Sequence, residues 1–366
     1  MMKALLCIIL ICFLFSCKDK NEVISDVELI RCEEKHDDQI KISDFSTKAY
    51  LLPLETNELS LLGEVSKLVL HGGKIYVLDQ RYAAKIFIFD AITGKFLSRI
   101  GTIGAAPGEY RSIEDFSIDT EKKILYTLCD RTKIITYTLS GEIIEEKNIG
   151  FYANKMEYLN DHFYFNCDSG YKYNLYVTDM NFKEVESSFP NEPYGQNLQT
   201  LVHPFQKKDG IIFFRQYLNN TIYKVNDEIT PYYVVDLVNK GLPFNRFDKL
   251  SNKELGDVMS TVSCNIKYFT ENENTIIYLY YNRNQPYIAV YNKKNKKGTA
   301  WHYKKFKDDY FDFEGVLFEC ADADKMIAVL SPASVLEQLN NASKKALEGY
   351  NITEDSNPIL YIIQTN

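Results

Sequence analysis

Short runs in which apolar and polar positions alternate recur along this chain, separated by glycine turns. One round reads Lys85-Ile-Phe-Ile-Phe-Asp90, a turn at Thr93-Gly94, then Lys95-Phe-Leu-Ser-Arg-Ile100. The next reads Lys133-Ile-Ile-Thr-Tyr-Thr138, a turn at Ser140-Gly141, then Glu142-Ile-Ile-Glu-Glu146, and Gly101–Tyr110 bridges the two. Alternation of period two predicts half-buried strands, and glycine-marked turns predict hairpins between them.

The register is easiest to follow on the second strand of each unit. Ile75–Asp79, Leu125–Cys129, Phe163–Cys167, Ile211–Phe214, Ile277–Tyr280 and Met326–Leu330 give matching positions 76, 126, 164, 212, 278 and 327. Third strands follow at Lys85–Phe89, Lys133–Tyr137, Asn174–Val177, Thr221–Val225, Tyr287–Tyr291 and Ile359–Ile363. Repeats of this length, each with several short strands, are the pattern of propeller blades. The last unit ends at Asn366 without a fourth strand, and Ala49-Tyr-Leu-Leu-Pro-Leu54 is the segment expected to supply it. Such an exchange removes an exposed sheet edge, and Pro53 is tolerated because a fourth strand lies at the edge. The expected fold is all-β: a six-bladed β-propeller with four-stranded blades, a ring closed by an N-terminal strand, and short helical insertions on one face.

Connections sort by length. First-to-second and third-to-fourth turns are short, whereas residues 101–112, 189–202, 237–262 and 331–357 are long. Ser334–Leu347 has helical apolar spacing and stops at Gly349, and Phe244–Met259 is a second helical candidate. All long segments belong to the face holding the second-to-third loops, so a binding surface is expected there.

The start of the chain reads differently. Lys3 precedes the apolar run Ala4–Phe15, too short to span a bilayer, and Leu14-Phe15-Ser16-Cys17 resembles a bacterial lipobox. Three regions are therefore expected: residues 1–16 as a signal peptide, 17–44 as a polar tether with a lipid on Cys17, and 45–366 as the propeller. A bacterial cell-envelope location follows, at the outer membrane on its periplasmic or outward side.

The run Arg99-Ile-Gly-Thr-Ile-Gly-Ala-Ala-Pro-Gly-Glu-Tyr110, followed by Asp115–Asp119, resembles the connection between blades of NHL-repeat propellers. Leu51–Thr56 and Asn357-Pro358-Ile-Leu360 are similar to the six-bladed, NHL-like propeller lipoproteins of bacteria. The resemblance covers residues 40–180 and the C-terminus, and it implies a fold and a location but no activity. Gln80–Ala84 departs from the asparagine-bearing loop of that pattern.

A formal charge of −8 at pH 7 argues against nucleic acid as a partner, because phosphates need a basic face. The cysteines beyond Cys17 show no zinc-type spacing and read as small buried hydrophobes. Arg81, Arg131, Arg215 and Arg283 follow the second strand in four units, and Tyr171-Lys172 holds that place in the third. Guanidinium groups gathered by ring closure suit a carboxylate, sulfate, phosphate or glycan ligand, or they pair with neighbouring acids. The main expectation is a monomeric ligand- or protein-binding scaffold with no cofactor, partnered with the membrane through its lipid and with an envelope protein or an anionic or glycan ligand. The alternative is a metal-dependent lactonase or lyase, as some propellers of this kind are. Glu64, Glu114, Asn154, His203, Asn265 and Glu314 would then offer Ca²⁺ or Zn²⁺ ligands at the channel mouth.

Overall fold

A computed structural model describes residues 27–167, 170–191, 203–226, 228–237 and 250–366. Cys17 and the signal segment lie outside the described residues, as do residues 192–202 and 238–249 of the long connections. Three strands precede the repeats: β1 (Glu28–Lys35), β2 (Ile40–Lys41) and β3 (Ser46–Pro53). The first unit is β4 (Lys67–His71), β5 (Lys74–Asp79), β6 (Lys85–Asp90) and β7 (Phe96–Ile100). The second is β8 (Ile113–Asp119), β9 (Ile124–Cys129), β10 (Lys133–Thr138) and β11 (Ile143–Asn148). The third is β12 (Lys155–Leu159), β13 (His162–Asn166), β14 (Tyr173–Thr178) and β15 (Glu184–Pro190). The fourth is β16 (Phe205–Lys208), β17 (Ile211–Arg215), β18 (Thr221–Val225) and β19 (Ile229–Asp236). The fifth is β20 (Ser263–Glu271), β21 (Thr275–Asn282), β22 (Gln285–Asn292) and β23 (Lys297–His302). A short β24 (Phe306–Lys307) pairs with β2. Strands β25 (Phe318–Asp322), β26 (Lys325–Leu330) and β27 (Ile359–Thr365) complete the series.

Within each unit neighbouring strands pair antiparallel in chain order. In the last, β27 takes β3 as its outer neighbour, with Leu51 opposite Tyr361 and Pro53 opposite Ile359. Asn357, fully buried, fastens this junction. Its Oδ1 accepts the Leu62 N–H at 2.8 Å, and its Nδ2 donates to the Glu55 and Ser60 carbonyls at 2.7 and 2.8 Å.

The inner strands are buried on both faces, and the apolar faces of the sheets meet in succession. Tyr76 and Ile88 of the first unit pack with Phe116 and Ile135 of the second. Tyr126 and Leu128 meet Met156 and Phe163, and Tyr164 and Leu175 meet Ile212 and Phe214. Phe213 and Tyr233 meet Phe269 and Tyr278, and Ile277 and Ile288 meet Phe318 and Tyr361. Ile327 and Leu360 return to Ile75 and Phe87 of the first unit. This cyclic succession of four-stranded sheets is a β-propeller.

The glycine-rich bridge has a structural reason. Gly101 holds φ at +107°, and a Cβ there would stand 1.8 Å from the Tyr110 hydroxyl. That hydroxyl donates to the Ala84 carbonyl at 2.7 Å from a fully buried ring.

Two expectations change. The polar tether drawn over residues 17–44 does not hold for its described part, because β1 is a strand. It runs parallel to both β19 and β23, joining the fourth and fifth sheets through their outer strands. Its buried Ile30 and Cys32 enter the core between those sheets while Leu29, Arg31 and Glu33 face out. The single helix expected over Ser334–Leu347 is two: α2 (Pro332–Glu337) and α3 (Asn341–Ala346), following α1 (Asn252–Met259). The break falls at Asn340, whose side chain caps α3 by accepting the Ser343 N–H at 2.9 Å. Of the Phe244–Met259 candidate, α1 is helical and residues 244–249 lie outside the described residues.

Candidate functional site: the channel cavity

The first strand of every unit faces the centre, and together these strands line a cavity of about 600 Å³. Leu70, Ile118, Leu159, Phe205, Phe269 and Ala321 contribute one wall position from each unit. The cavity also includes the short turns at His71, Thr120–Lys122, Asn160-Asp161, Asp209-Gly210 and Asp322. It therefore opens on the face with short turns, opposite the long connections.

Buried charges are costly unless paired, and here they pair across sheets. Lys67 of the first unit donates to Asp115 Oδ1 at 2.8 Å and to the Phe116 carbonyl at 2.7 Å, both in the second. It also lies 3.4 Å from Glu157 Oε2 in the third. Glu157 in turn lies 3.0 Å from Lys207 of the fourth and accepts the Ser117 hydroxyl. Lys207 also donates to the Ile118 and Tyr158 carbonyls at 2.9 and 3.1 Å. Four consecutive units are thus linked at their inner edges by one network. Burial alone would raise the Glu157 carboxyl, but the charges of Lys207 and Lys67 override it and hold the group at about 2. Burial works against the Lys67 ammonium as well, and Asp115 and Glu157 overcome it to push its pKa up.

Not every wall group is committed. Glu319 lines the cavity with an exposed side chain and no hydrogen-bond partner among the described residues. Enclosure by the channel walls pushes its carboxyl up, opposed by Lys267. His203 lies at the inner end, where burial first, and then the fields of Lys155 and Lys67, depress its imidazole to about 4.

The model of the domain of unknown function DUF4934 matches residues 26–364. This chain belongs to the DUF4934 family. The DUF4934 chain also resembles a solved protein of Bacteroides fragilis described as exported, at TM-score 0.79 and 20% identity, over 92% of this chain and 99% of that one. A member of the DUF4221 family from Bacteroides vulgatus matches at TM-score 0.54 and 12% identity, over 88% and 97%. At these identities the likeness concerns fold. No curated protein matches.

The residues singled out from the sequence sort into three groups. Arg81 and Glu64 approach to 3.8 Å. Arg131 donates to Asn154 Oδ1 at 2.5 Å, its backbone N–H reaches Glu114 Oε2 at 3.1 Å, and its guanidinium lies 5.9 Å from the Tyr152 ring. Arg81 and Arg131 thus share one mouth with Glu64, Glu114 and Asn154 and pair with them. Arg215 and His203 come to the cavity instead. Arg215 is buried, donating to the Ile266 and His203 carbonyls at 3.3 and 3.2 Å, and burial lowers its pKa to about 10. The remainder disperse. The Tyr171 hydroxyl accepts the Tyr152 N–H at 2.7 Å, and Lys172 lies over Tyr173 at 5.0 Å. Arg283 borders a shallow hollow with Glu34, His36 and Tyr287 near β1. Asn265 takes a positive φ of 57°, and Glu314 is exposed, its N–H donating to Gln338 at 2.6 Å.

Among the described residues, no three His, Cys, Asp or Glu side chains are grouped to hold a metal ion. Glu64 and Glu114 are already bound to Ser66, Ser112 and the arginine loops. The Lys155 ammonium also lies within their fields, which disfavours a divalent cation. Lys67, Asp115, Glu157, Lys207 and Glu319 are the channel residues that sequence reasoning did not select. Their signal was present: each is a charged residue inside a first strand, where the alternation leads one to expect burial.

Proposed function

We propose that this DUF4934 chain is a six-bladed propeller, closed by β3 against β27, and that it acts in the bacterial cell envelope as a lipid-anchored binding module. Its ligand enters the channel from the short-turn face. The cavity lined by all six first strands is the observation that carries this reading, since a concave, mixed polar and apolar pocket of several hundred Å³ is the usual form of a small-molecule site. Location rests on the lipobox at Cys17; among the described residues, no helix is long and apolar enough to cross a membrane.

The charges in the channel bear on ligand class. Lys67 and Lys207 are spent on carboxylates and carbonyls, whereas Glu319 has free acceptor capacity. Hydroxyl and ammonium donors are therefore better matched than anions, so polyhydroxylated molecules and amines come before carboxylates and phosphates. The test is thermal unfolding of residues 27–366 against a panel of monosaccharides, amino sugars, polyamines and dicarboxylates. A ligand that binds only the native state at 100 times its Kd adds about 2.7 kcal/mol. Stabilisation by a member of the first three classes supports the reading; stabilisation by dicarboxylates alone contradicts the ligand class.

A further inference from the structure

At the channel rim two lysines compete for one carboxylate oxygen. Lys208, at the end of β16, lines the cavity and lies 3.4 Å from Glu271 Oε1. Lys293, in the turn between β22 and β23, approaches the same oxygen more closely. The Tyr233 hydroxyl donates to it as well, at 3.1 Å. Glu271 is 2% exposed, and its Oε2 has no partner among the described residues. Both ammonium groups also share the Asn272 carbonyl, at 2.9 and 3.2 Å. The other nearby charge is Asp209, at 3.8 Å from Lys208, with a side chain 75% exposed and therefore screened by solvent.

Two positive charges around one buried negative charge are relieved if one lysine gives up its proton. Lys293 makes the tighter contact with Glu271 and keeps its proton. Lys208, desolvated and beside a second cation, is the amine favoured to become neutral. Burial first, and then Lys293, lower its pKa, while Glu271 raises it; that of Lys293 is raised by Glu271 against the effect of burial.

We propose that Lys208 is a nucleophilic amine of the channel, forming a reversible imine with a small aldehyde or ketone. The Nζ lone pair adds to the carbonyl carbon, and the carbonyl π pair becomes an oxyanion that takes a proton from Lys293. The second nitrogen proton passes to the hydroxyl, which departs as water and leaves the C=N bond. Lys293 recovers a proton from the nitrogen, so amine plus carbonyl gives imine plus water with no oxidation or reduction. This chemistry rests on the channel being the ligand site.

The experiment is reductive trapping of the folded chain with propanal and cyanoborohydride at pH 7, followed by peptide mass mapping. Lys208 is expected to be alkylated on the order of tenfold faster than the exposed Lys296. Its rate should level off at lower pH than that of Lys296. Lys293→Gln removes the competing cation, leaves Glu271 to Lys208, and should bring the Lys208 rate and pH profile to those of Lys296. Equal rates in the unsubstituted chain, or an unchanged Lys208 rate in Lys293→Gln, overturn the proposal. If Glu319→Trp blocks a non-covalent ligand while Lys208 stays unalkylated, the channel reading stands and the imine alone falls.

Discussion

Replacing Lys67 by methionine removes the cation that joins the first three units while keeping much of its apolar volume. Breaking one side of a buried ion pair costs about 3–5 kcal/mol, because the partner charge stays buried. Two features place this case at the lower end. Asp115 still accepts the Phe116 and Met156 N–H groups at 2.8 and 3.0 Å, and Glu157 still has Lys207 at 3.0 Å. A loss of about 3 kcal/mol is therefore expected. Roughly 310 described residues at about 2.1 cal/mol/K each give an unfolding entropy of about 0.65 kcal/mol/K, so the thermal midpoint falls by about 5 °C. The acid limb moves too. Glu157 has a folded pKa of about 2 against an ordinary 4.5, so its stabilisation is full above pH 4.5 and is lost as pH falls towards 2. Without Lys67 its carboxyl protonates at higher pH, and acid unfolding begins earlier. Calorimetry at pH 7 and a pH titration of the midpoint measure both effects. A midpoint within about 1 °C of the original, with the acid limb unmoved, would refute the argument that this network ties the units together.

Three other outcomes follow. His203 is half-buried, and desolvation holds its imidazole at about 4 against an ordinary 6.5, so the unfolded chain binds a proton first and stability falls from pH 6.5 down to about 4. His203→Gln should flatten that part of the pH–stability curve, and an unchanged slope would show that another group is responsible. Gly298→Ala places a Cβ 2.3 Å from Cys32 Sγ and 2.9 Å from the Arg31 carbonyl. The expected cost is about 1–3 kcal/mol, with amide exchange accelerated in residues 28–35; unchanged protection there would mean that β1 does not depend on this approach. Asn357→Ala removes three hydrogen bonds from a fully buried site and leaves their partners unpaired, a loss of about 2–4 kcal/mol. Opening between β3 and β27 should be visible by hydrogen exchange at Leu51 and Tyr361, and protection equal to the original at both would argue against Asn357 as the clamp.

The strands of each unit were legible because period-two alternation and glycine turns are local signals, as Lys85–Asp90 and Lys133–Thr138 illustrate. Strand β3 could be placed because the sixth unit lacked a partner and Ala49–Leu54 had the right pattern. Strand β1 was hidden by its surroundings: Ile30 and Cys32 alternate correctly, but Glu33–Asp38 and the lipobox-like segment upstream suggested a solvated tether. Its place between β19 and β23 is a long-range contact that no local pattern encodes. The pairing around the candidate site was hidden for a related reason. Arg81 and Arg131 follow their strands at a regular spacing, yet ring closure sets them against Glu64, Glu114 and Asn154. The channel charges looked like interruptions of a strand, because their partners lie some 40 to 90 residues away on other units, as Lys67 does from Asp115 and Glu157.

The most direct measurement compares two variants against whichever ligand stabilises the unsubstituted chain. Glu319→Trp fills the channel at a position that sacrifices no hydrogen bond, and Arg81→Ala removes an exposed group from the long-connection face. Ligand-induced stabilisation should disappear in Glu319→Trp and persist in Arg81→Ala. The reverse result, binding kept with the channel filled and lost with Arg81, would place the site on the opposite face and contradict the account.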